Sequence, residues 1–264
     1  MENIYLPEEL KKLLENKNFT LDQMGLSGAK VLIFEESVLK ISSSPDEMRK
    51  EAELLSWLEG RLPAPKLLFF GEENAEGYLL MSRIEGEMAC SESLMSSPKK
   101  LISSLADAIR FLWTVDISSC PVLSGLDQKL AAARKTVELG LADTENCEPE
   151  TYGPGGFASP EALLLWLENN RPEEDPVFSH GDLCLPNVMF NEFGLSGFID
   201  IGRGGISDRW NDIAICHRSL IHNYVGKYAS RSYDGFDPEM LFSALGVPRD
   251  DEKLVYYKLL DELA

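Results

Sequence analysis

Two short segments in the second half of the chain decide both its fold and its chemistry. Residues 177–187 read Val-Phe-Ser-His-Gly-Asp-Leu-Cys-Leu-Pro-Asn, and residues 197–202 read Gly-Phe-Ile-Asp-Ile-Gly. The first places Asp182 and Asn187 on one loop, and the second places Asp200 at the end of a returning strand. Phosphoryl transfer needs such oxygens, because a carboxylate positions the attacking hydroxyl and further ligands hold Mg²⁺ on the nucleotide phosphates. Ordinary capped turns explain either segment alone, but they explain the pair joined by a hairpin poorly.

The rest of the chain divides into two parts around this motif. Residues 1–84 show the order strand, strand, helix, strand, strand, whereas residues 85–264 are mostly helical. The helix at 45–59 follows Ser44, which we expect to be its N-cap. The stretch 142–156 is acidic and then rich in Gly and Pro, so it is predicted to be an exposed loop.

The charge balance narrows the range of partners. The chain has 25 Lys and Arg against 44 Asp and Glu, a net charge of −19. Nucleic acid and anionic membranes repel such a chain, and cationic ligands are attracted to it. No stretch approaches the roughly 20 apolar residues of a membrane helix, and the first residues do not look like a signal peptide. We therefore expect a cytoplasmic protein with no nucleic-acid or membrane partner, and its oligomeric state stays open.

The two segments resemble the protein-kinase-like phosphotransferases, whose catalytic loop reads His-x-Asp-x-x-x-x-Asn. More narrowly, the chain resembles the bacterial aminoglycoside 3′-phosphotransferases, and the match spans essentially its whole length. The matching segments are residues 57–63, 180–187, 197–203, 208–214 and 260–263. The resemblance implies an α+β, bilobal protein-kinase-like fold. A small N-lobe with an antiparallel sheet (1–84) would cover a larger, mainly helical C-lobe (85–264).

The resemblance also implies roles for the polar residues of the motif. Asp182 is expected to be the catalytic carboxylate, and Asn187 and Asp200 are expected to bind Mg²⁺. His180 would hold the shape of the loop. Lys40, on a predicted strand, would contact the nucleotide phosphates.

The nucleotide site involves further residues of the N-lobe. A helix glutamate should hold Lys40. The family pattern favours Glu51, although the sequence alone does not distinguish it from Glu47 or Glu53. The other expected nucleotide-binding residues are Ser27 in a phosphate-covering loop and Ser82 and Ile84 in the hinge. Relatives often carry an aromatic residue at position 38, where this chain has Val, so the choice between ATP and GTP stays open.

A polycationic aminoglycoside calls for a site lined with carboxylates. The expected substrate-binding residues are Arg203, Glu148, Glu150, Asp261, Glu262 and the terminal carboxylate of Ala264. A solvated charged surface is the alternative for both acidic clusters. Residues 221–223 read Ile-His-Asn, where acidic residues are common among relatives, so the drug spectrum stays open.

The function implied is transfer of the γ-phosphate of ATP or GTP to the 3′-hydroxyl of aminoglycosides such as kanamycin and neomycin. One alternative is a kinase of the same fold that acts on another hydroxyl, in choline, a macrolide or a sugar. A second is a non-catalytic kinase-like binding protein. The acidic C-terminus disfavours a neutral sugar, and the presence of Lys40, Asp182, Asn187 and Asp200 together disfavours a non-catalytic role.

Overall fold

The computed structural model describes residues 4–21, 29–228 and 231–263, so Ser27 and Ala264 lie outside the described residues. The elements of the first part are α1 (Glu8–Leu13), β1 (Thr20–Leu21), β2 (Lys30–Ile33), β3 (Ser37–Ser42), α2 (Pro45–Leu58), β4 (Leu67–Glu73) and β5 (Glu76–Ser82). The strands form one antiparallel sheet in the order β1-β2-β3-β5-β4. The predicted order of two strands, a helix and two strands is present as β2, β3, α2, β4 and β5, and the short edge strand β1 is an addition that the sequence did not predict.

Alternation along β3 sorts its side chains onto the two faces of the sheet. Leu39 and Ile41 are buried against Leu10 and Leu14 of α1, on the outer face. Successive side chains in a strand point to opposite faces. Lys40 therefore lies on the inner face, the side that carries α2.

The second part is mainly helical. Its elements are β6 (Glu87–Met88), α3 (Glu92–Met95), α4 (Pro98–Thr114), α5 (Leu126–Glu138), α6 (Pro149–Tyr152), α7 (Pro160–Asn169), β7 (Pro176–Ser179), β8 (Val188–Asn191), β9 (Gly194–Phe198), β10 (Gly205–Asp208), α8 (Arg209–Val225), α9 (Glu239–Leu245) and α10 (Asp251–Asp261). Strands β6, β8 and β9 form one small sheet, and β7 pairs with β10. No described helix has the length and apolar character needed to cross a bilayer.

A single hydrophobic core joins the two parts. Leu54 and Leu58 of α2 belong to the same buried cluster as Leu105 and Ile109 of α4. The ring of Trp57 lies 5.6 Å from that of Phe178. A backbone hydrogen bond of 2.9 Å also runs from the Phe198 N–H to the Pro63 carbonyl. Helix α2 is thus packed against the C-lobe, which fixes the position of the N-lobe relative to the C-lobe.

Of two local expectations from the sequence, one is confirmed and one is wrong. Ser44 does occupy the N-cap position of α2, but its side chain makes no capping hydrogen bond. The stretch 142–156 is not entirely loop, because it contains α6 with a buried Thr151. Pro149 suits the first helical position, and the Phe157 N–H closes the turn onto the Thr151 carbonyl at 2.7 Å.

His217, on α8, is a buried imidazole in the core. His217 is 3% exposed, and neither ring nitrogen has a hydrogen-bond partner among the described residues. Its ring centroid lies 5.2 Å from that of Phe242. Burial, together with the positive charges of Lys258 and Arg249, lowers the pKa of His217 to about 4. The folded protein therefore keeps this group neutral where the unfolded chain protonates it.

We predict that His217→Val stabilises the protein more at pH 5 than at pH 7.5. The unfolded chain takes up a proton near pH 6.5, so wild-type stability falls below that pH, by up to roughly 1.4 kcal/mol per pH unit from this group. The variant lacks that loss. Urea unfolding of both proteins at the two pH values measures the difference. An equal stability difference at both pH values would contradict the assignment.

Candidate active site

A lysine held between two carboxylates forms the centre of the cleft. The Nζ of Lys40 donates to Oε1 of Glu51 at 2.7 Å and to Oδ1 of Asp200 at 2.6 Å. The Lys40 and Glu51 side chains are 12% and 4% exposed, whereas Asp200 is half exposed. Glu47 and Glu53 are exposed on α2, so Glu51 is the glutamate that the structure brings to Lys40.

The electrostatics of these three side chains favour the charged forms of Lys40 and Asp200. Burial acts to lower the pKa of Lys40, but Glu51 and Asp200 outweigh it and the pKa is raised. Burial acts to raise the pKa of Asp200, but the Lys40 ammonium outweighs it and the pKa is lowered. For Glu51 burial dominates over the attraction of Lys40, and its pKa is raised. Asp200 is therefore the member best able to offer a charged oxygen to a ligand.

The backbone after β9 makes room for this triad. Asp200 has a φ of +59°, in the left-handed region that Asp tolerates better than most residues. A Cβ at Gly202 would lie 3.2 Å from Oε2 of Glu51. The glycine therefore leaves space for the buried carboxylate.

The two sequence segments meet at Asn187. Its Nδ2 donates to the Asp182 carbonyl at 2.9 Å and to Oδ2 of Asp182 at 3.3 Å. The Ile199 N–H donates to the Asn187 carbonyl at 3.0 Å, directly before Asp200. The structure thus brings Asp182, Asn187 and Asp200 together on one side of the cleft.

His180 supports the loop from within. It is fully buried, its Nε2 lies 2.9 Å from the Ile199 carbonyl, and its Nδ1 accepts from the Asp182 N–H at 3.3 Å. Because Nδ1 accepts, Nε2 carries the hydrogen and donates to Ile199. His180 thus links the loop that carries Asp182 to the segment that leads to Asp200.

A buried carboxylate beneath this loop was not assigned a role from the sequence. Asp212, on α8, accepts from the His180 N–H at 2.8 Å, the Gly181 N–H at 3.0 Å and the Ser179 hydroxyl at 2.9 Å. Its position within the matching segment 208–214 was the available signal.

The conformation of the same loop requires a glycine. Gly181 has a φ of +87°, and a Cβ there would lie 2.1 Å from the Arg203 carbonyl. The backbone just before Asp182 is therefore fixed by Asp212 and by close contact with residue 203.

The backbone N–H groups of residues 82–84, the expected hinge, differ in whether they are already hydrogen-bonded within the protein. The Ser82 N–H donates to the Lys66 carbonyl at 2.9 Å, and the Arg83 N–H donates to the Glu36 carbonyl at 2.9 Å. The Ile84 N–H has no acceptor within the described ranges. Of the two residues expected in the hinge, Ile84 is therefore the one whose N–H is available to a ligand.

Two oxygen atoms of the residues expected to bind a metal have no hydrogen-bond donor within the described part of the chain. They are Oδ1 of Asn187 and Oδ2 of Asp200. Hard oxygen donors of this kind suit Mg²⁺, which completes its coordination with phosphates and water. Among the described residues no group of three or more His, Cys, Asp or Glu side chains is placed to hold a metal alone. The donor set therefore fits a cation that arrives with a nucleotide.

The carboxylates expected to bind substrate come together from distant parts of the sequence. The Glu148 N–H donates to Oε1 of Glu262 at 3.2 Å. Arg218 forms an ion pair with Asp261 and lies 3.9 Å from Glu262. Arg203 reaches Asp261 at 3.5 Å.

Not all of the expected substrate residues join this cluster. Glu150 is exposed on α6 and makes no ion pair with a described residue. Glu148, by contrast, faces the basic side chains of His222 and Lys227. Glu148, Asp261 and Glu262 are thus each paired with basic side chains of the protein itself.

Comparison with known proteins places this geometry in a family. The model of the phosphotransferase enzyme family, APH, matches residues 22–241. Aminoglycoside 3′-phosphotransferases from Enterococcus faecalis and Staphylococcus aureus are each 38% identical to the chain, over 100% of both proteins. The crystal structure of aminoglycoside-3′-phosphotransferase of type VIII is 27% identical, with a TM-score of 0.80 over 97% of each chain. The chain belongs to the aminoglycoside 3′-phosphotransferase family.

Proposed function

We propose that the protein transfers the γ-phosphate of ATP or GTP to the 3′-hydroxyl of aminoglycosides of the kanamycin and neomycin type. The observation that carries the proposal is the Lys40 ammonium, which donates to Glu51 and to Asp200 beside the loop of Asp182 and Asn187. The full-length relatives named for this activity support the same assignment. The nucleotide would bind between the N-lobe (1–84) and the C-lobe (85–264).

In this proposal Asp182 orients the attacking hydroxyl and accepts its proton. Phosphoryl transfer passes through a loose transition state, so positioning and electrostatics supply most of the catalysis. Asn187 holds the Asp182 carboxylate through its amide, and Asp212 holds the backbone from below. Asp212 is thus a positioning residue.

The phosphates would be held from the N-lobe and the metal from the C-lobe. Lys40, kept in place by Glu51, can donate to phosphate oxygens, and the Ile84 N–H can donate to the base. Asn187 and Asp200 would hold Mg²⁺, which neutralises negative charge on the nucleotide phosphates when it is bound.

Phosphorylation explains how the drug would be inactivated. The product loses a hydroxyl donor and gains about two negative charges at neutral pH. A polycation that binds RNA depends on attraction to phosphates, so the modified drug should bind its RNA site poorly.

The first experiment follows coupled nucleotide turnover with kanamycin A and with tobramycin, which lacks the 3′-hydroxyl. We expect turnover with kanamycin A and none with tobramycin, in the presence of magnesium and either ATP or GTP. Turnover with both drugs would move the target hydroxyl. No turnover with either would refute the proposed substrate class and favour another small-molecule hydroxyl.

We predict that Asp182→Asn lowers kcat at least about 100-fold and leaves ADP affinity within threefold. The amide preserves the shape of the side chain but cannot accept the proton, and general-base contributions are about 10²–10⁴-fold. Steady-state kinetics and calorimetric ADP binding check the two parts. Asp107→Asn, an exposed carboxylate on α4, is the matched control. A variant that keeps a tenth of wild-type kcat would remove Asp182 from this role.

We predict that Asp200→Asn abolishes the gain in ADP affinity that magnesium gives to the wild type. The amide removes the negative charge that a divalent cation needs, while the oxygen stays in place. Calorimetric titrations of both proteins with ADP, with and without magnesium, measure this gain. An equal magnesium dependence in both proteins would show that Asp200 is not a ligand.

A further inference from the structure

Glu148, one of the carboxylates expected to bind substrate, is already occupied by basic side chains of the protein. Its Oε1 lies 3.0 Å from the Nζ of Lys227 and 3.2 Å from the Nε2 of His222. Glu148 and Lys227 are partly exposed, with side-chain exposures of 28% and 38%. The contact is therefore open to solvent and to a ligand from one side.

The end of α8 explains how both groups reach the same oxygen. Gly226 takes a left-handed conformation, with a φ of +79°, and its N–H donates to the Asn223 carbonyl at 3.2 Å. The Lys227 N–H then donates back to the His222 carbonyl at 2.9 Å. This helix-ending turn folds the chain back, so that Lys227 lies beside His222.

His222 and Lys227, the two donors to Glu148, differ in charge and in side-chain flexibility. The Nδ1 of His222 lies 2.9 Å from the Tyr228 hydroxyl, and its side chain is 10% exposed. Burial lowers the pKa of His222 more than Glu148 raises it, so its neutral form is favoured at neutral pH. With Nδ1 accepting from Tyr228, Nε2 donates to Glu148 as a neutral N–H. The formal positive charge bound to Glu148 is that of Lys227, which extends from the chain on flexible methylenes.

We infer that Lys227 is an internal competitor of the substrate, because its ammonium occupies the Glu148 carboxylate that a substrate ammonium would otherwise bind. The inference rests on the proposed function. An aminoglycoside amine is an alkylammonium like the Lys227 terminus, and the two have the same charge and the same donors. A substrate ammonium that binds at Oε1 of Glu148 therefore exchanges one cation for another, while His222 keeps its own hydrogen bond to this oxygen.

Displacement of Lys227 by a substrate ammonium limits what Glu148 contributes to substrate affinity. The ion pair that the drug gains at Glu148 is offset by the ion pair that Lys227 loses, so an amine placed there contributes little to affinity. An additional positive charge also remains near the bound polycation. Removing the Lys227 charge should then improve binding, the reverse of what deletion of a binding residue does.

The test measures KM for kanamycin A in Lys227→Gln and Lys227→Arg. We expect Lys227→Gln to lower KM about threefold to fivefold, the size of a partly exposed ion pair. Lys227→Arg should keep the wild-type KM, because a guanidinium also pairs with Glu148. Lys135→Gln, an exposed lysine on α5, makes the same change in net charge and should leave KM unchanged. Thermal unfolding of each variant controls for folding.

The outcomes separate this inference from the proposed function. Wild-type turnover of kanamycin A with an unchanged or raised KM in Lys227→Gln would overturn the inference and leave the function standing. A fall of the same size in Lys135→Gln would also overturn it, because overall charge would then explain the gain. If the wild type neither turns over nor binds kanamycin A or neomycin B by calorimetry, the proposed function fails, and the inference with it.

Discussion

The site depends on a buried lysine that has two carboxylate partners from different parts of the fold. Lys40 comes from β3, Glu51 from α2, and Asp200 from the segment after β9. A charge held this far from water is stable only when it is paired, and leaving one partner of a buried pair alone costs about 3–5 kcal/mol. The pairing therefore fixes the sheet, the helix and the C-lobe relative to one another at the point where phosphates would bind.

Asp212 is a second buried carboxylate, and it holds the loop that carries Asp182 in place, as Glu51 holds Lys40. Asp212 is fully buried and accepts hydrogen bonds from two successive backbone N–H groups and a hydroxyl. Both carboxylates act through other residues, and both lie on long helices packed into the core. The loop that carries Asp182 thus takes its shape from a rigid helix, which favours the constant geometry that positioning requires.

The sequence predicted the fold through its resemblance to a known family, and the spacing of Asp182, Asn187 and Asp200 predicted that these side chains lie close together, as they do. The choice of Glu51 over Glu47 and Glu53 came from the resemblance, and the structure shows its physical basis, since Glu51 shares the buried face of α2 with Met48 and Leu55. The pairing of Glu148 with Lys227 could not be predicted. It joins residues 79 positions apart and depends on the left-handed turn at Gly226.

The core that runs from α2 into α4 has a consequence for how the cleft can open. Because Leu54 and Leu58 share buried surface with the C-lobe, separating the lobes as rigid bodies would expose apolar side chains to water. Strands β1 and β2 lie at the edge of the sheet, and Leu32 of β2 packs in a separate cluster with Leu10 of α1, so movement of these strands would leave the shared core intact. We therefore expect a nucleotide to enter and leave through movement of β1 and β2, while α2 and the C-lobe stay in place. Unfolding of such a chain should begin at this edge and become cooperative once α2 leaves the core.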